Sequence, residues 1–290
     1  MGPHRARRIG WIGYVNTLPL TRALPGDDGA VIVDGVPTAL NAMLAAGEID
    51  VAPISSIEYG RHADDYVVLA GISISTHGPV RSVLVASDRP LLGLPGGEPV
   101  SASVFLTPAS ATSAVLLKAL AATAWIDRCR LAFVDEPDRA DGRLMIGDEA
   151  LREHIVPRFS HHIDLGEAWR DHTGLPLVFA LMCARREVLS DSRRERLVTV
   201  HRSLARAARE PDRGWASREA SRRLALPEEE LTRYMAGLSY ELTPLHRRGL
   251  MRFLEMAWLV GEAPSVNRIR TVETEPDTTN GTREGSPGAS

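Results

Sequence analysis

The sequence predicts an α/β protein of two lobes, with two crossing strands between them and a helical block at the C-terminal end. Three observations carry that expectation. Short β-branched runs alternate with helix-length segments through the first half of the chain, which argues for a largely parallel sheet with helices on both faces. Gly78-Pro79 breaks the chain ahead of an alternating run to Ser87, which reads as one crossing strand, and the apolar run from Leu177 to Ala184 reads as the return. From Leu189 onward apolar residues recur at three- and four-residue spacing, the period of amphipathic helices.

In order, Arg8 to Val15 reads as a first strand, and Asn16-Thr17-Leu18-Pro19 supplies capping side chains and a proline suited to a first helical turn. Val31 to Val36 is a second strand, Thr38 caps a helix to Ala46, and Gly47 closes it. Ile49 to Ile54 is a third strand; Ser55 and Glu58 then form a capping box at the head of another helix. Tyr66 to Ser75 is extended, followed by the crossing strand, one face of which carries Ser82. Ser101 to Leu106 is a strand, and Thr107 to Ser113 a polar turn that opens a strong helix through Thr123. Leu131 to Val134 and Arg143 to Ile146 are short strands, the second turning through Gly147-Asp148-Glu149 into a helix from Ala150 to about His154. Asp164 to Trp169 reads as broken chain. Helices are expected over Leu189 to Arg209, Trp215 to Leu224, Pro227 to Leu238 and Pro244 to Leu259. This is the plan of a type II periplasmic-binding-protein-like fold. Residues 8–84 and 185–270 form lobe 1, residues 85–184 form lobe 2, and residues 271–290, which offer almost nothing to bury, are expected as a disordered tail.

Composition narrows the functional classes. Asp and Glu outnumber Lys and Arg, 37 to 34, and Lys118 is the only lysine, so nothing resembles a nucleic-acid footprint. The basic start is followed by an apolar run that Asn16, Thr17 and Pro19 soon interrupt, so it reads as a strand and not as an export signal. No apolar run reaches the ~18 residues of a membrane span. Cys129 and Cys183 lack metal spacing and suit a reducing cytosol as packed thiols. The expected location is cytoplasmic; oligomeric state is not legible.

A cleft between such lobes is lined by strand ends and helix starts, whose free N–H groups suit carboxylates. Three turns qualify: Asn16-Thr17, Ser55-Ser56 and Ser110-Ala111-Thr112. Each also reads as a helix cap. Asp148, at a strand end ahead of a helix, reads as an acid, a base or a cap. No Gly-x-Gly-x-x-Gly, Walker loop, His-Glu-x-x-His or nucleophile elbow is present, and nothing points to a cofactor. His161-His162 reads as surface loop, since adjacent histidines face different ways.

Seven motifs in order resemble one family. Gly13 to Pro19 (GYVNTLP), Gly35 to Asn41 (GVPTALN), Asp50 to Tyr59 (DVAPISSIEY), Gly78 to Val83 (GPVRSV), Leu106 to Ser113 (LTPASATS), Ile146 to Leu151 (IGDEAL) and Thr173 to Ala180 (TGLPLVFA) are similar to the chorismate dehydratases of the futalosine route to menaquinone. The resemblance spans Arg8 to about Glu187. It implies the two-lobed fold and a cofactor-free lyase that converts chorismate to 3-[(1-carboxyvinyl)oxy]benzoate. It further implies Asn16 and Ser82 at the reacting ring; with the substrate so placed, the turns and strand ends read above are expected to bring Thr17, Ser55, Ser56, Thr107, Ser110, Ala111, Thr112 and Asp148 around it. The proton is then left to the substrate's own enolpyruvyl carboxylate. Two departures stand out: the link from Ala124 to Gly142 is short, as if one covering helix were trimmed, and Met182-Cys183 stand where a tryptophan is expected nearby. A paralogue acting on a related cyclohexadiene acid and a non-catalytic cytosolic binding protein share the same plan.

Overall fold

The computed structural model describes residues 7–25, 30–190 and 194–272. The chain builds β1 (Arg7–Ile12), α1 (Leu18–Thr21), β2 (Ala30–Gly35), α2 (Pro37–Ala45), β3 (Val51–Ser55), α3 (Ser56–Arg61) and the long β4 (Tyr66–Thr76) before it first leaves the first lobe. The second lobe holds β5 (Val83–Ser87), β6 (Val100–Phe105), α4 (Ala111–Thr123), β7 (Cys129–Val134), β8 (Gly142–Ile146), α5 (Gly147–Ile155), β9 (His161–Asp164) and α6 (Leu165–Thr173). Then β10 (Leu177–Arg185) returns, followed by α7 (Arg194–Arg209), α8 (Arg213–Leu224), α9 (Glu228–Gly237), β11 (Leu238–Ser239), α10 (Pro244–Leu259) and β12 (Thr271–Val272).

Two sheets result. The first is seven-stranded, in the order β11-β4-β10-β3-β1-β2 with β12 also alongside β4; the second is five-stranded, in the order β7-β6-β8-β5-β9. Both are mixed, where the alternation predicts largely parallel sheets. β10 lies antiparallel to both β3 and β4, and β5 antiparallel to both β8 and β9. The physical reason is the double crossing: a chain that leaves along β4 and comes back along β10 inserts its returning strand against the local direction.

Both crossings differ in detail from the sequence reading. Extended structure does not run from Gly78; β5 begins at Val83, and Gly78 and Arg81 have φ of 140° and 62°. The Asp164 carboxylate takes the N–H groups of Val80 (3.0 Å) and Arg81 (2.6 Å), so these donors serve a side chain and not a ladder. Ser82 therefore ends a turn. Leu177–Arg185 pairs along its length with β3 and β4, so the returning strand belongs to the first sheet.

Other corrections are local. Asp164 is no part of a broken segment: its side chain accepts from Gly166 and Glu167 N–H and caps α6. His161 and His162 lie on β9 rather than in a loop, and His162 Nε2 is 2.9 Å from Glu153 Oε1. The capping box at Ser55 is half formed; Ser55 Oγ accepts from Glu58 N–H, but the Ser55 N–H goes to Asn41 Oδ1 and the Glu58 carboxylate to Tyr66. The link between β7 and β8 carries only a 3-10 turn at Pro137–Arg139, in keeping with its shortness. Thr271 and Val272 pair with Val68 and Leu69, which corrects the expected tail at its start; residues 273–290 lie outside the described residues. Cys129 and Cys183 are buried and free.

Among the described residues the main apolar cluster runs from the first sheet through the crossings into the second, and a smaller one holds Leu84, Ala86, Met145 and Ala150. Trp169 of α6 meets Phe253 of α10 edge to face, ring centroids 6.3 Å apart, so the helical block is tied to both lobes. Among the described residues no helix is long and apolar enough to cross a membrane.

Candidate active site

Between the sheets lies a cavity whose lining encloses about 560 Å³ of space, part of it open to solvent. Its apolar wall is built from Ile12, Ile74, Val80, Val83, Ile146 and Phe179, among others. Its polar wall is Tyr14, Asn16, Ser55, Ser82, Ser110 and Ser113. Among the described residues this wall carries no Asp, Glu, Lys or Arg. An anion here would be held by hydroxyls and backbone N–H groups.

Asn16 sits in the 3-10 turn Val15–Thr17 that follows β1. Its carbonyl accepts from the buried Tyr240 hydroxyl at 2.7 Å, which fixes the backbone. Its Oδ1 is buried without a hydrogen-bond partner. Such an acceptor costs about 1–3 kcal/mol unless something donates to it, and Asn16 is one of the residues that line the cavity.

Ser82 is buried where the first crossing enters β5. The Tyr234 hydroxyl donates to its Oγ at 3.0 Å, whereas its own hydrogen reaches the Val80 carbonyl only at 3.4 Å. Burial is the main reason the Tyr234 phenol sits well above its ordinary value, so Tyr234 remains a donor. The Ser82 carbonyl accepts from Gly147 N–H at 2.8 Å. Gly147 adopts φ of 61°, and a Cβ there would stand 2.9 Å from the Tyr14 ring, so the two lobes touch at this glycine.

Each of the three predicted turns contributes only its first residue to the wall. Thr17 Oγ1 donates instead to the carbonyls of Ile12 and Tyr14. Ser56 Oγ donates to Val178 O at 2.7 Å. Thr112 Oγ1 donates to Phe179 O and accepts from Ile57 N–H, stitching α4 to the first lobe. Thr107 Oγ1 accepts from Ala109 N–H within its own turn, and neither Thr107 nor Ala111 lines the cavity. Successive residues at a helix start point about 100° apart, which separates neighbours in this way. Ser55 and Ser110 line the wall and also cap α3 and α4.

Asp148 is likewise off the wall and does not cap α5. Its Oδ1 accepts from the N–H of Val15, in the other lobe, at 3.0 Å. Burial pushes its carboxyl above the usual range, against the Val15 N–H and the charges of Arg223 and Arg152. Residues absent from the sequence reading of the site are Tyr14, Ser113 and Tyr234. Ser113 closes the predicted polar turn and is the third residue of α4, its spacing to Ser110 being the signal that marks it; Tyr234 is brought in from a distant helix and has no local signal. Among the described residues no group of three or more His, Cys, Asp or Glu could hold a metal ion.

Two lobes, two crossings and an uncharged polar cavity at their seam define a periplasmic-binding-protein-like fold. Two solved structures carry the same fold: a protein from Archaeoglobus fulgidus (TM-score 0.63, 22% identity, covering 89% of this chain and 99% of that one) and a Candida albicans gene product described as having the generic periplasmic binding protein fold (TM-score 0.59, 11% identity, 94% and 99%). The sequence is more specific. The model of a menaquinone biosynthesis family matches residues 7–258, and the chain belongs to that family. It is 31% identical over 265 residues, 85% of this chain and 93% of the relative, to the chorismate dehydratase of Thermus thermophilus.

Proposed function

We propose that the chain dehydrates chorismate to 3-[(1-carboxyvinyl)oxy]benzoate in menaquinone biosynthesis, without a cofactor. The observation that carries the assignment to this cavity is the unpartnered Oδ1 of Asn16. It needs a donor. Chorismate at neutral pH has two carboxylates, which only accept, and a single donor, the C4 hydroxyl that leaves in the reaction. The match to the Thermus thermophilus enzyme over nearly all its length supports the same reading.

Asn16 accepts from the C4 hydroxyl while Ser82, its oxygen supplied by Tyr234, turns its hydrogen toward the same oxygen. The two contacts hold the C4–O bond in place, which is catalysis by positioning and preorganised dipoles. Ser55, Ser110 and Ser113, with the first N–H groups of α4, receive a carboxylate. The pair of the C3–H bond becomes the third ring double bond as C4–O breaks; the C3 proton goes first to the enolpyruvyl carboxylate, which passes it to the departing hydroxide, so water leaves and the carboxylate is restored. Tyr14, the one titratable side chain on the wall among the described residues, is held above its ordinary value by burial and then by the charges of Asp148 and Glu149, so it stays protonated and makes a poor base. The substrate's enolpyruvyl carboxylate takes the proton. The buried free thiols suit a reducing cytoplasm.

The test is to incubate purified protein with chorismate, with no additive, and follow product by ultraviolet absorbance and mass. A ligand-dependent rise in melting temperature with no product would make this a binding protein. Turnover confined to another cyclohexadiene acid would make it a paralogue.

A further inference from the structure

We propose that Asp148 is a positioning residue that sets the Asn16 turn from the opposite lobe. This rests on the site being catalytic, and it assigns Asp148 neither to substrate contact nor to proton transfer.

The argument begins with the turn itself. Val15–Thr17 is a single 3-10 turn, and its cap residue, Tyr14, makes no side-chain capping bond, so the turn offers free N–H groups. The Val15 N–H finds its partner 133 residues away in sequence, in Asp148 Oδ1 on the second lobe. One residue on, the Asn16 carbonyl is held by Tyr240 from the helical block. Asn16 is thus gripped on both sides of its Cα, and its side-chain oxygen has no hydrogen-bond partner to orient it. The Tyr240 bond lies within the first lobe and its helices. The Asp148 bond spans the seam and exists only while the lobes meet. Beside it, the ring of Tyr14 packs on Gly147, whose N–H in turn holds the Ser82 carbonyl. Contact between Asp148-Gly147 and Tyr14-Val15 therefore sets both polar residues at the reacting ring together.

The experiment compares wild type with Asp148→Asn, Asp148→Ala and Val15→Pro. An asparagine keeps a carbonyl oxygen for the Val15 N–H and loses only the charge. Val15→Pro deletes the donor at the first position of the turn, where proline is tolerated. Displacing a polar group at the reacting bond by about 1 Å costs up to about a hundredfold, so Asp148→Ala and Val15→Pro are each expected to lower kcat at least about tenfold with KM changed less. Asp148→Asn should stay within about threefold of wild type, since each factor of ten needs ~1.4 kcal/mol. Independently of turnover, amide hydrogen exchange over residues 12–20 should accelerate in Asp148→Ala and return toward wild type in Asp148→Asn.

An Asp148→Asn variant as inactive as Asp148→Ala would overturn the proposal in favour of a charged or proton-transferring Asp148. Full activity in both Asp148→Ala and Val15→Pro would overturn it too, as would unchanged exchange over residues 12–20. If wild type fails to turn over chorismate, the assigned reaction falls, while the exchange data still decide whether Asp148 holds the turn.

Discussion

The hydroxyl of Tyr234 donates to Ser82 Oγ at 3.0 Å across 152 residues of sequence, and both groups are buried. A helix of the C-terminal block thereby decides which way a serine at the lobe seam presents its hydrogen. Tyr234→Phe leaves Ser82 free to accept elsewhere. The expected result is a fall in kcat of about tenfold, little change in KM, and a stability loss of about 1 kcal/mol, the net worth of one hydrogen bond. Steady-state kinetics and thermal melts check it. The Ser82→Ala, Tyr234→Phe double variant should be no slower than Ser82→Ala alone, because the tyrosine acts through the serine.

Asn16→Ala and Ser82→Ala should each reduce chorismate turnover at least about a hundredfold while the protein stays folded, as expected when one preorganised contact worth roughly 2.7–4 kcal/mol is lost. Near-native rates in both would move the reaction out of this cavity.

Thr112→Val and Ser113→Ala should separate scaffold from site. Thr112→Val strips the acceptor from Ile57 N–H, a buried group, so melting temperature should fall by the equivalent of about 1–3 kcal/mol with KM nearly unchanged. Ser113→Ala removes a wall hydroxyl and should raise KM more than it lowers kcat. Swapped outcomes would place Thr112 on the ligand.

Gly147→Ala puts a Cβ 2.9 Å from three atoms of the Tyr14 ring, at a φ of 61° that disfavours alanine by about 1–2 kcal/mol. Lower stability and a raised KM are expected, since the lobes then meet less closely. Wild-type values in calorimetry and kinetics would show that the contact is dispensable.

Glu153 should dominate part of the acid limb of stability. Its side chain is buried, which by itself raises the pKa, but N–H donors of Phe159 and Arg158 with the His162 ring and the Arg158 guanidinium outweigh this and bring it to about 2. The folded value lies below the unfolded one, so the stabilisation, about 3 kcal/mol, is fully present above pH ~4.5 and disappears as pH falls through about 2. Glu153→Gln should lower the melting temperature at pH 7 and flatten its decline between pH 5 and pH 2, on the order of the same window. A parallel decline in both proteins would remove Glu153 from the account.

What the sequence by itself determined was local. Period and punctuation placed most strands and helices within a few residues, because alternation, capping side chains and Gly-Pro breaks act over a handful of positions. They also placed Asn16, Ser55 and Ser110 at element ends and Ser82 on the first crossing, and all four line the cavity. Tertiary structure alone decided the rest. Which hydroxyl in each turn faces the cavity depends on a neighbour's bond, as Thr17 to Ile12, Ser56 to Val178 and Thr112 to Phe179 show. Asp164, whose sequence context reads as broken chain, holds the Val80-Arg81 turn because packing brings its carboxylate to two backbone donors. Asp148 with Val15, and Tyr234 with Ser82, meet only when two lobes and a distant helix close on one another. Contacts of that range are set by the geometry of the whole core, and short-range pattern carries no record of them.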